Sequence, residues 1–459
     1  MNLASKLFKG DREIWIIFML LCMISVVEVF SATSTLAYKS TTYWDPIMRH
    51  ATFLVIGTVV VMFMHNLPYR IYSLATLFVP ISVVLLILTF FIGKDINGER
   101  RWLEIAGVTF QPSEVAKLAL IGYTAFIMSK RNWFTDRQMF WWIQGATLLV
   151  CGLIMVTNGS TAILLFGVVQ MMAFFGQVSL VRLLKFWSVL IAAGALMIAV
   201  LYYAPEGVMK YLPDRAYTWK ERIERFFSPE TPVTMEEGKA VSIDDEYYQE
   251  THAKIAIARG GLLGQFPGHG QQRDFLPQAY SDFIYAIIIE EMGILGGAAV
   301  LFLYIFLLVR VGMIARRCDK LFPKFLVLGC GLLLVVQALT NMAVAVGLIP
   351  VTGQPLPLIS RGGTSTVISC AYIGIILSVS RFGAHIGEEE EKEASEENPT
   401  GIEPEADWHP SENGQASVEN GSAAVENSSA TVENGSGAVE KPLEAAVEWN
   451  KDTNENKPI

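Results

Sequence analysis

Charge is scarce in this sequence. Asp, Glu, Lys and Arg make up 17% of its 459 residues against 52% hydrophobic ones, and the mean hydropathy is +0.40. A soluble globular fold has no use for so much apolar surface, so most of the chain is expected within a membrane. Cysteine is scarce as well. Cys22, Cys151, Cys330 and Cys370 lie in apolar runs and Cys318 in the basic stretch ARRCDK. None falls in the long polar segment before Leu276, so no disulfide framework is indicated. The chain contains no HExxH, no paired CxxC, no P-loop and no GxSxG, which leaves zinc hydrolase, nucleotidase and serine hydrolase readings without support. No small-residue cleavage site follows the basic lead MNLASKLFKGDREIW, so the first apolar run is expected to stay as a membrane helix. A nucleic-acid partner is not expected.

What is present divides sharply by charge. From Phe382 onward there are 19 acids and 4 bases, while the rest carries 31 bases and 25 acids. The chain is a mildly basic membrane body with an acidic tail. Apolar runs predict an all-α polytopic membrane protein with about ten transmembrane helices, near 14–32, 50–64, 71–93, 114–129, 139–157, 160–177, 185–204, 283–311, 325–349 and 365–381. An even number of spans puts both termini on one side. Lys6, Lys9, Arg12, Arg70, Lys130, Arg131, Arg137, Arg182, Lys185, Arg316, Arg317, Lys320 and Lys324 all fall on one set of short connections. That side is expected to be cytoplasmic. Residues 94–113, a long loop of 205–282 between helices 7 and 8, and residues 350–364 then face outward. The organisation expected is 1–13 cytoplasmic, 14–381 membrane domain and 382–459 a disordered cytoplasmic tail. The tail's Val418, Val425, Val432 and Val439 recur every seven residues, but one apolar residue per heptad amid Gly, Ser and Asn makes no packed seam.

Three outward segments hold chemistry. In INGERRWLEIAGVTFQPSEVAK, Trp102 is an interfacial aromatic, and WLEIAGVTF suits a small hairpin turning at Ala106-Gly107. Pro112 and Glu114 suit a helix start, with Glu114 and Lys117 on one face. That pattern is either a helix cap with a local ion pair, or a phosphate grip by Arg100, Arg101 and Lys117. In LPQAYSDFIYAIIIEEMG, Asp282 is either an N-cap or a functional group. Glu290 and Glu291 lie about 12 Å further along a helix. Ionised carboxylates at bilayer depth cost about 2.5 kcal/mol or more each, so they should pair or line a wet cavity; Arg101, Lys117 and Arg361 are the candidate partners. Adjacent helical positions point about 100° apart, so the two are not expected to face one partner. In NMAVAVGLIPVTGQPLPLISRGGTS, Pro350, Gly353, Pro355 and Pro357 force a shaped loop. Ser360-Arg361-Gly362-Gly363-Thr364-Ser365 then offers an anion site at a helix start, or a re-entrant turn with no ligand. In the long loop, RAYTWKERIERFFSP reads as an amphipathic interfacial helix, and MEEGKAVSIDDEYYQE as acidic and mobile.

These residues resemble the SEDS family (shape, elongation, division and sporulation proteins), which contains RodA and FtsW. The pattern NGxxRWLxxGxxxxQPSExxK is similar to Asn97-Gly98, Arg101-Trp102-Leu103, Gly107, Gln111-Pro112-Ser113-Glu114 and Lys117. LPExxxDFIFAxxxEExG resembles Leu276-Pro277, Asp282-Phe283-Ile284-Tyr285-Ala286, Glu290-Glu291 and Gly293. NxxVxxGxxPxxGxxLPxxSxGGSS is similar to Asn341, Val344, Gly347, Pro350, Gly353, Leu356-Pro357, Ser360, Gly362-Gly363 and Ser365. Weaker matches are VEVFSATS near Ser31, YYQETHAKIAIARGGLLG and RIERFFSP. The resemblance spans about residues 14–381 and is nearer FtsW than RodA.

The resemblance implies a peptidoglycan glycosyltransferase of the bacterial inner membrane, serving septal wall synthesis, with an elongation-type role as the alternative. Its substrate would be lipid II, and its partners a class B penicillin-binding transpeptidase and other division or elongation membrane proteins. The family's essential aspartate falls on Asp282, expected as a base on the acceptor hydroxyl or as ligand to Mg2+ or Mn2+, with no organic cofactor. Arg101, Lys117 and Arg361 are the candidates for pyrophosphate, with Glu114 orienting Lys117. Gln111, Trp102, Ser360, Gly362 and Gly363 join them in the substrate site, and Glu290, Glu291, Asn97 and Asn341 support it. The chain departs from the family at Gln278 in place of Glu, Tyr280 of His, Thr352 of Lys and Arg361 of Tyr. Its PDxGT element reads Thr157-Asn158-Gly159-Ser160-Thr161. A base lost at 352 and gained at 361 is expected to compensate within one anion pocket. A lipid flippase and a non-catalytic scaffold are the competing readings.

Overall fold

The computed structural model describes residues 8–32, 45–96, 99–105, 108–203, 245–276 and 279–397. The RAYTWKERIERFFSP segment, the valine repeat, Asn97, Gly98 and the Ala106-Gly107 turn lie outside the described residues.

All ten expected spans are helical. They are α1 (Arg12–Ala32), α2 (Asp45–Met64), α3 (Ala75–Ile92), α4 (Pro112–Ser129), α5 (Asp136–Thr157), α6 (Gly159–Phe175) and α7 (Leu180–Tyr203), then, after the peripheral helix α8 (Asp245–Gly260), α9 (Ile284–Arg316), α10 (Leu321–Ala345) and α11 (Thr364–Glu397). Eight are long and apolar enough to cross a membrane by themselves. Helix α6 is shorter, at 17 residues, and α4 is diluted by its polar start and Lys117. Before α4, strands β1 (Lys94–Ile96), β2 (Glu99–Ile105) and β3 (Val108–Phe110) form an antiparallel meander. The expected hairpin is its second half, with Ile105 opposite Val108.

Helix α10 is the hub, packed by α4, α6, α9 and α11. Lipid supplies little hydrophobic drive between helices, so close approach matters more and small residues sit at the contacts. A Cβ at Gly57 of α2 would stand 2.6 Å from Cys370 Sγ of α11, and one at Gly122 of α4 2.5 Å from Ala75 Cβ of α3. Helix α7 buries almost nothing against the rest, which leaves its surface for lipid. At one end of the bundle Asp11 caps α1, its Oδ1 accepting from Glu13 N–H at 3.0 Å and Ile14 N–H at 3.1 Å. Its own N–H donates to Ser380 Oγ, and Arg310 pairs with Asp11 and, at 2.7 Å, with Glu13. The first span therefore starts on the face where the last one ends, as an even number of crossings requires.

Helix α9 is the main departure from expectation. Gly293 has φ 72° and ψ −177°, and Tyr285 Oη donates to the Gly297 carbonyl at 3.1 Å. Twelve residues of straight helix would separate those two by about 18 Å. The side chain of Ile289 also reaches Gly297, so Ile284–Met292 folds sharply back on the helix that follows. The carbonyls of Glu290 and Glu291, freed by the break, accept from Gln265 N–H (3.0 Å) and Phe266 N–H (2.8 Å). Ile294 N–H and Leu295 N–H donate to the carbonyls of Gly261 and Leu262. The 23 residues Ile294–Arg316 give about 34 Å, enough alone to span the bilayer. Glu290 and Glu291 thus sit at the apex of a bend, not deeper in the membrane than Asp282.

Two further expectations are corrected. The long loop is helical over Asp245–Gly260, so the last six residues of the stretch expected to be mobile are helical, because Ala253, Ala256 and Gly260 make a small-residue stripe that packs α8 on α9. The helix α11 runs on to Glu397, sixteen residues into the expected disordered tail, through a Glu- and Lys-rich stretch of good helix formers.

Candidate active site

Asp282 stands just before the folded-back helix. It is not its N-cap: that position is Phe283, with no side-chain cap bond. Its Oδ1 accepts from Ser281 Oγ at 2.8 Å, and Gly353 lies over Oδ2, where a Cβ would stand 3.7 Å away. Burial pushes the Asp282 carboxyl above the usual carboxylate range, against the opposing pull of the Ser281 hydroxyl and of the Arg101 charge nearby. Arg101 comes from strand β2, so the meander brings a guanidinium charge near this carboxylate.

The proline-rich loop of 350–364 forms the other wall, and polar groups of α6, α10 and the segment before α9 pin it. Asn341 of α10 donates to the carbonyls of Asp282 and Gln354, both at 2.8 Å. Gln354 Nε2 donates to Thr161 Oγ1 at 2.7 Å. Asn158 caps α6 by accepting from Thr161 N–H at 3.1 Å. The element that reads TNGST instead of PDxGT thus keeps a capping oxygen at its second position. Ser360 Oγ donates to the Ser281 carbonyl at 2.6 Å and accepts from Leu356 N–H at 2.8 Å, while Arg361 N–H donates to the Tyr280 carbonyl at 2.9 Å. The Arg361 guanidinium lies over the Tyr280 ring, 5.2 Å from its centre, an arrangement that favours Arg over Lys. Two departures from the family pattern, Tyr280 and Arg361, therefore meet in one contact.

Lys117 and Glu114 form a buried pair at 2.7 Å, with side-chain exposures of 1% and 9%. Lys117 also donates to Gln337 Oε1 at 3.3 Å, and Gln337 Nε2 to the Pro355 carbonyl at 3.0 Å. The pair thus reaches the loop through Gln337. Gln111 is the N-cap of α4 without a side-chain cap bond, and Pro112 opens its first turn as expected. Gly363 has φ 56°, and Ser365 closes the turn onto the Gly362 carbonyl at 3.1 Å; Trp102 is half-buried beside Arg101. Removing one partner of a buried pair leaves an uncompensated charge worth about 3–5 kcal/mol. Lys117→Met alone is expected to lower the thermal midpoint clearly, and adding Glu114→Gln to recover most of it, read by thermal melting in detergent.

Glu290 and Glu291 do not pair with Arg101, Lys117 or Arg361. Glu290 accepts from Gln271 N–H at 3.0 Å and Gln272 N–H at 3.1 Å. Glu291 accepts from Gly268 N–H at 3.1 Å, Ser31 Oγ at 2.5 Å and Arg273 Nη1 at 3.5 Å. Both face the same short loop, against the expectation for adjacent helical positions, because that loop wraps the bend. The match near Ser31 is explained in the same way: Ser31 ties α1 to this clamp. Gln337, Gln354, Thr161 and Ser281 were not anticipated; an amide inside an apolar helix was the available signal for Gln337.

The profile of the FtsW, RodA and SpoVE family, described as cell cycle protein, matches residues 11–385. A protein of Saccharophagus degradans named probable peptidoglycan glycosyltransferase FtsW is 31% identical over 377 residues, covering 78% of this chain and 89% of its own. A protein of the same name from Trichlorobacter lovleyi is 30% identical, covering 82% and 94%. The fold is similar to a chain from a structure described as "Structural coordination of polymerization and crosslinking by a peptidoglycan synthase complex". The TM-score there is 0.64 at 24% identity, over 82% of this chain and 98% of that one. The RodA crystal structure from Thermus thermophilus gives 0.55 at 22%, over 81% and 97%. The chain belongs to the FtsW/RodA/SpoVE family of multi-pass membrane proteins and stands nearer FtsW within it.

Proposed function

We propose that this chain is a peptidoglycan glycosyltransferase that polymerises lipid II into glycan strands for septal wall synthesis. The carrying observation is Asp282: a half-buried carboxylate in a loop junction, with Arg101 close and Arg361 on the adjoining loop. Relatives named as FtsW glycosyltransferases over most of the chain support the same reading.

The reaction displaces a lipid pyrophosphate from a sugar carbon by a sugar hydroxyl, with inversion. It needs a base on the hydroxyl and positive charge on the departing pyrophosphate. With Oδ1 engaged by Ser281, Oδ2 of Asp282 takes the proton. Arg101 and Arg361 take the pyrophosphate, beside Ser360, Gly362 and Gly363. Lys117, sealed by Glu114 and Gln337, is a positioning residue that fixes the Pro355 wall. A divalent cation fits in part. Among the described residues no three His, Cys, Asp or Glu gather, so Asp282 would be its single carboxylate ligand. Water and pyrophosphate oxygens would supply the rest, a set that suits Mg2+. Bound there, it would neutralise the leaving group.

The termini are proposed cytoplasmic, from the basic connections on their side, and the site then opens outward, where lipid II is consumed. A class B penicillin-binding transpeptidase is the proposed partner. Purified protein with and without a cognate transpeptidase, assayed on lipid II, tests the reading; no glycan under either condition would return flippase and scaffold. The acid limb of the rate profile offers a second check. The base must be ionised, so activity falls as pH drops through the raised Asp282 value. Arg101→Gln removes a charge that favours the ionised form, and the limb is expected to move to higher pH, apart from any loss of maximal rate.

A further inference from the structure

The loop that wraps the bend in α9 carries apolar side chains where an aqueous loop would not. Leu262, Leu263 and Phe266 are 63%, 71% and 71% exposed. Phe266 has φ 68°, a left-handed backbone that bulky residues avoid, and it is held there by its N–H to the Glu291 carbonyl. A costly backbone that turns a phenyl ring outward rather than into the core asks for a partner on the outside.

The neighbouring surface identifies that partner. Gly261 and Leu262 accept from the N–H groups of Ile294 and Leu295, so the loop lies against the first residues of the membrane span after the bend. Ile294 and Leu295 are themselves exposed and apolar. Counting back from Ile314, beside the basic pair Arg316-Arg317, about 20 residues of helix are needed for a hydrocarbon core of about 30 Å. That count ends at Leu295. The three exposed side chains therefore continue the lipid-facing surface of α9 at the level where hydrocarbon meets headgroup.

We propose that Leu262, Leu263 and Phe266 form a wedge inserted into the bilayer leaflet on the site's side. The wedge moors to lipid the loop whose amides hold Glu290 and Glu291. It sets the bend, and with it Asp282, at a fixed depth relative to a lipid-borne substrate. Polar residues of the same loop mark where water begins: Asp274 is 53% exposed on its side chain.

The test uses the full chain in lipid nanodiscs, with a nitroxide attached at Leu262→Cys, Leu263→Cys, Phe266→Cys or Asp274→Cys in turn. The unsubstituted protein reports background labelling of its own five cysteines. Collision with oxygen, which partitions into lipid, is compared with collision by a polar nickel chelate. Several-fold higher oxygen preference at 262, 263 and 266 than at 274 is expected. Equal preference at all four positions would place the loop in water and overturn the wedge. So would chelate access at 263 and 266 that is lost only on adding a transpeptidase, which would make the patch a protein-docking face. Because all four positions are surface ones, loss of fold does not confuse the readings.

Discussion

Asp282→Asn is expected to lower lipid II polymerisation by about 10²–10⁴-fold, the usual contribution of a positioned base, while leaving the protein at least as stable as before. The two halves of that expectation come from the same surroundings. Asn has the same shape, and its oxygen can still accept from Ser281 Oγ, which now holds Asp282 Oδ1 at 2.8 Å. Helix stability is untouched, because Phe283 and not Asp282 occupies the N-cap. Burial raises the Asp282 value above that of an unfolded chain, so the ionised form opposes folding at neutral pH; the stabilising, protonated form is lost as pH rises through the raised value. Removing the charge therefore relieves the fold and disables the chemistry, a common trade at active sites. Thermal melting and polymerisation of both proteins in one detergent check the pair of statements. Equal polymerisation would remove Asp282 from the reaction. Ser281→Ala should fall between, since it removes a hydrogen bond that favours the ionised carboxylate.

Much of this site was legible from residue order alone, because three segments each joined a polar motif to an apolar run. Pro112 and Glu114 announced the start of α4, and the Glu114–Lys117 pair followed from helical spacing. The position of Asp282 before a helix was legible too. What spacing could not tell was whether it capped that helix, since an Asp before an apolar run satisfies both readings. The bend in α9 was out of reach for a different reason. A run from Phe283 to Val309 with three internal glycines, Gly293, Gly296 and Gly297, reads as one long span, and glycine inside a membrane helix is ordinary. Its left-handed φ depends on Gly261, Leu262 and Gly264, which approach from a loop some thirty residues earlier. The partners expected for Glu290 and Glu291 were wrong for that reason: most of their donors are backbone amides of the wrapping loop, which carry no signature in the sequence. The joining of Tyr280 to Arg361 was hidden likewise. Each is a departure from the family pattern, and only the fold shows that they are neighbours, where compensation between positions 352 and 361 had been expected.

The largest structural effect is expected at Gly293. Its φ of 72° with ψ of −177° lies in a region open essentially to glycine, at a cost of about 1–3 kcal/mol for other residues. A Cβ there would stand 2.3 Å from the Leu262 carbonyl oxygen and 2.5 Å from the Gly264 nitrogen. Both obstacles are backbone, so no side-chain rotation relieves them, and overpacking adds about 1–3 kcal/mol. Gly293→Ala is therefore expected to cost roughly 2–6 kcal/mol in all, seen as a large drop in thermal midpoint. Polymerisation should be lost even at temperatures where the variant remains folded. The reason is geometric: opening the bend separates Tyr285 from Gly297 and carries Asp282 away from the loop that Asn341 and Ser360 hold. Gly152→Ala is the matched control. Nothing lies within 4 Å of a Cβ at that position of α5, and an alanine in mid-helix gains about 0.5–1 kcal/mol over glycine. A stable, active Gly293→Ala protein would mean that α9 runs straight, with Glu290 and Glu291 above the span and the loop contacts at Ile294 and Leu295 absent. Glu291→Gln should then be harmless as well, whereas a real clamp would register the loss of its charge-assisted bonds to Gly268, Ser31 and Arg273.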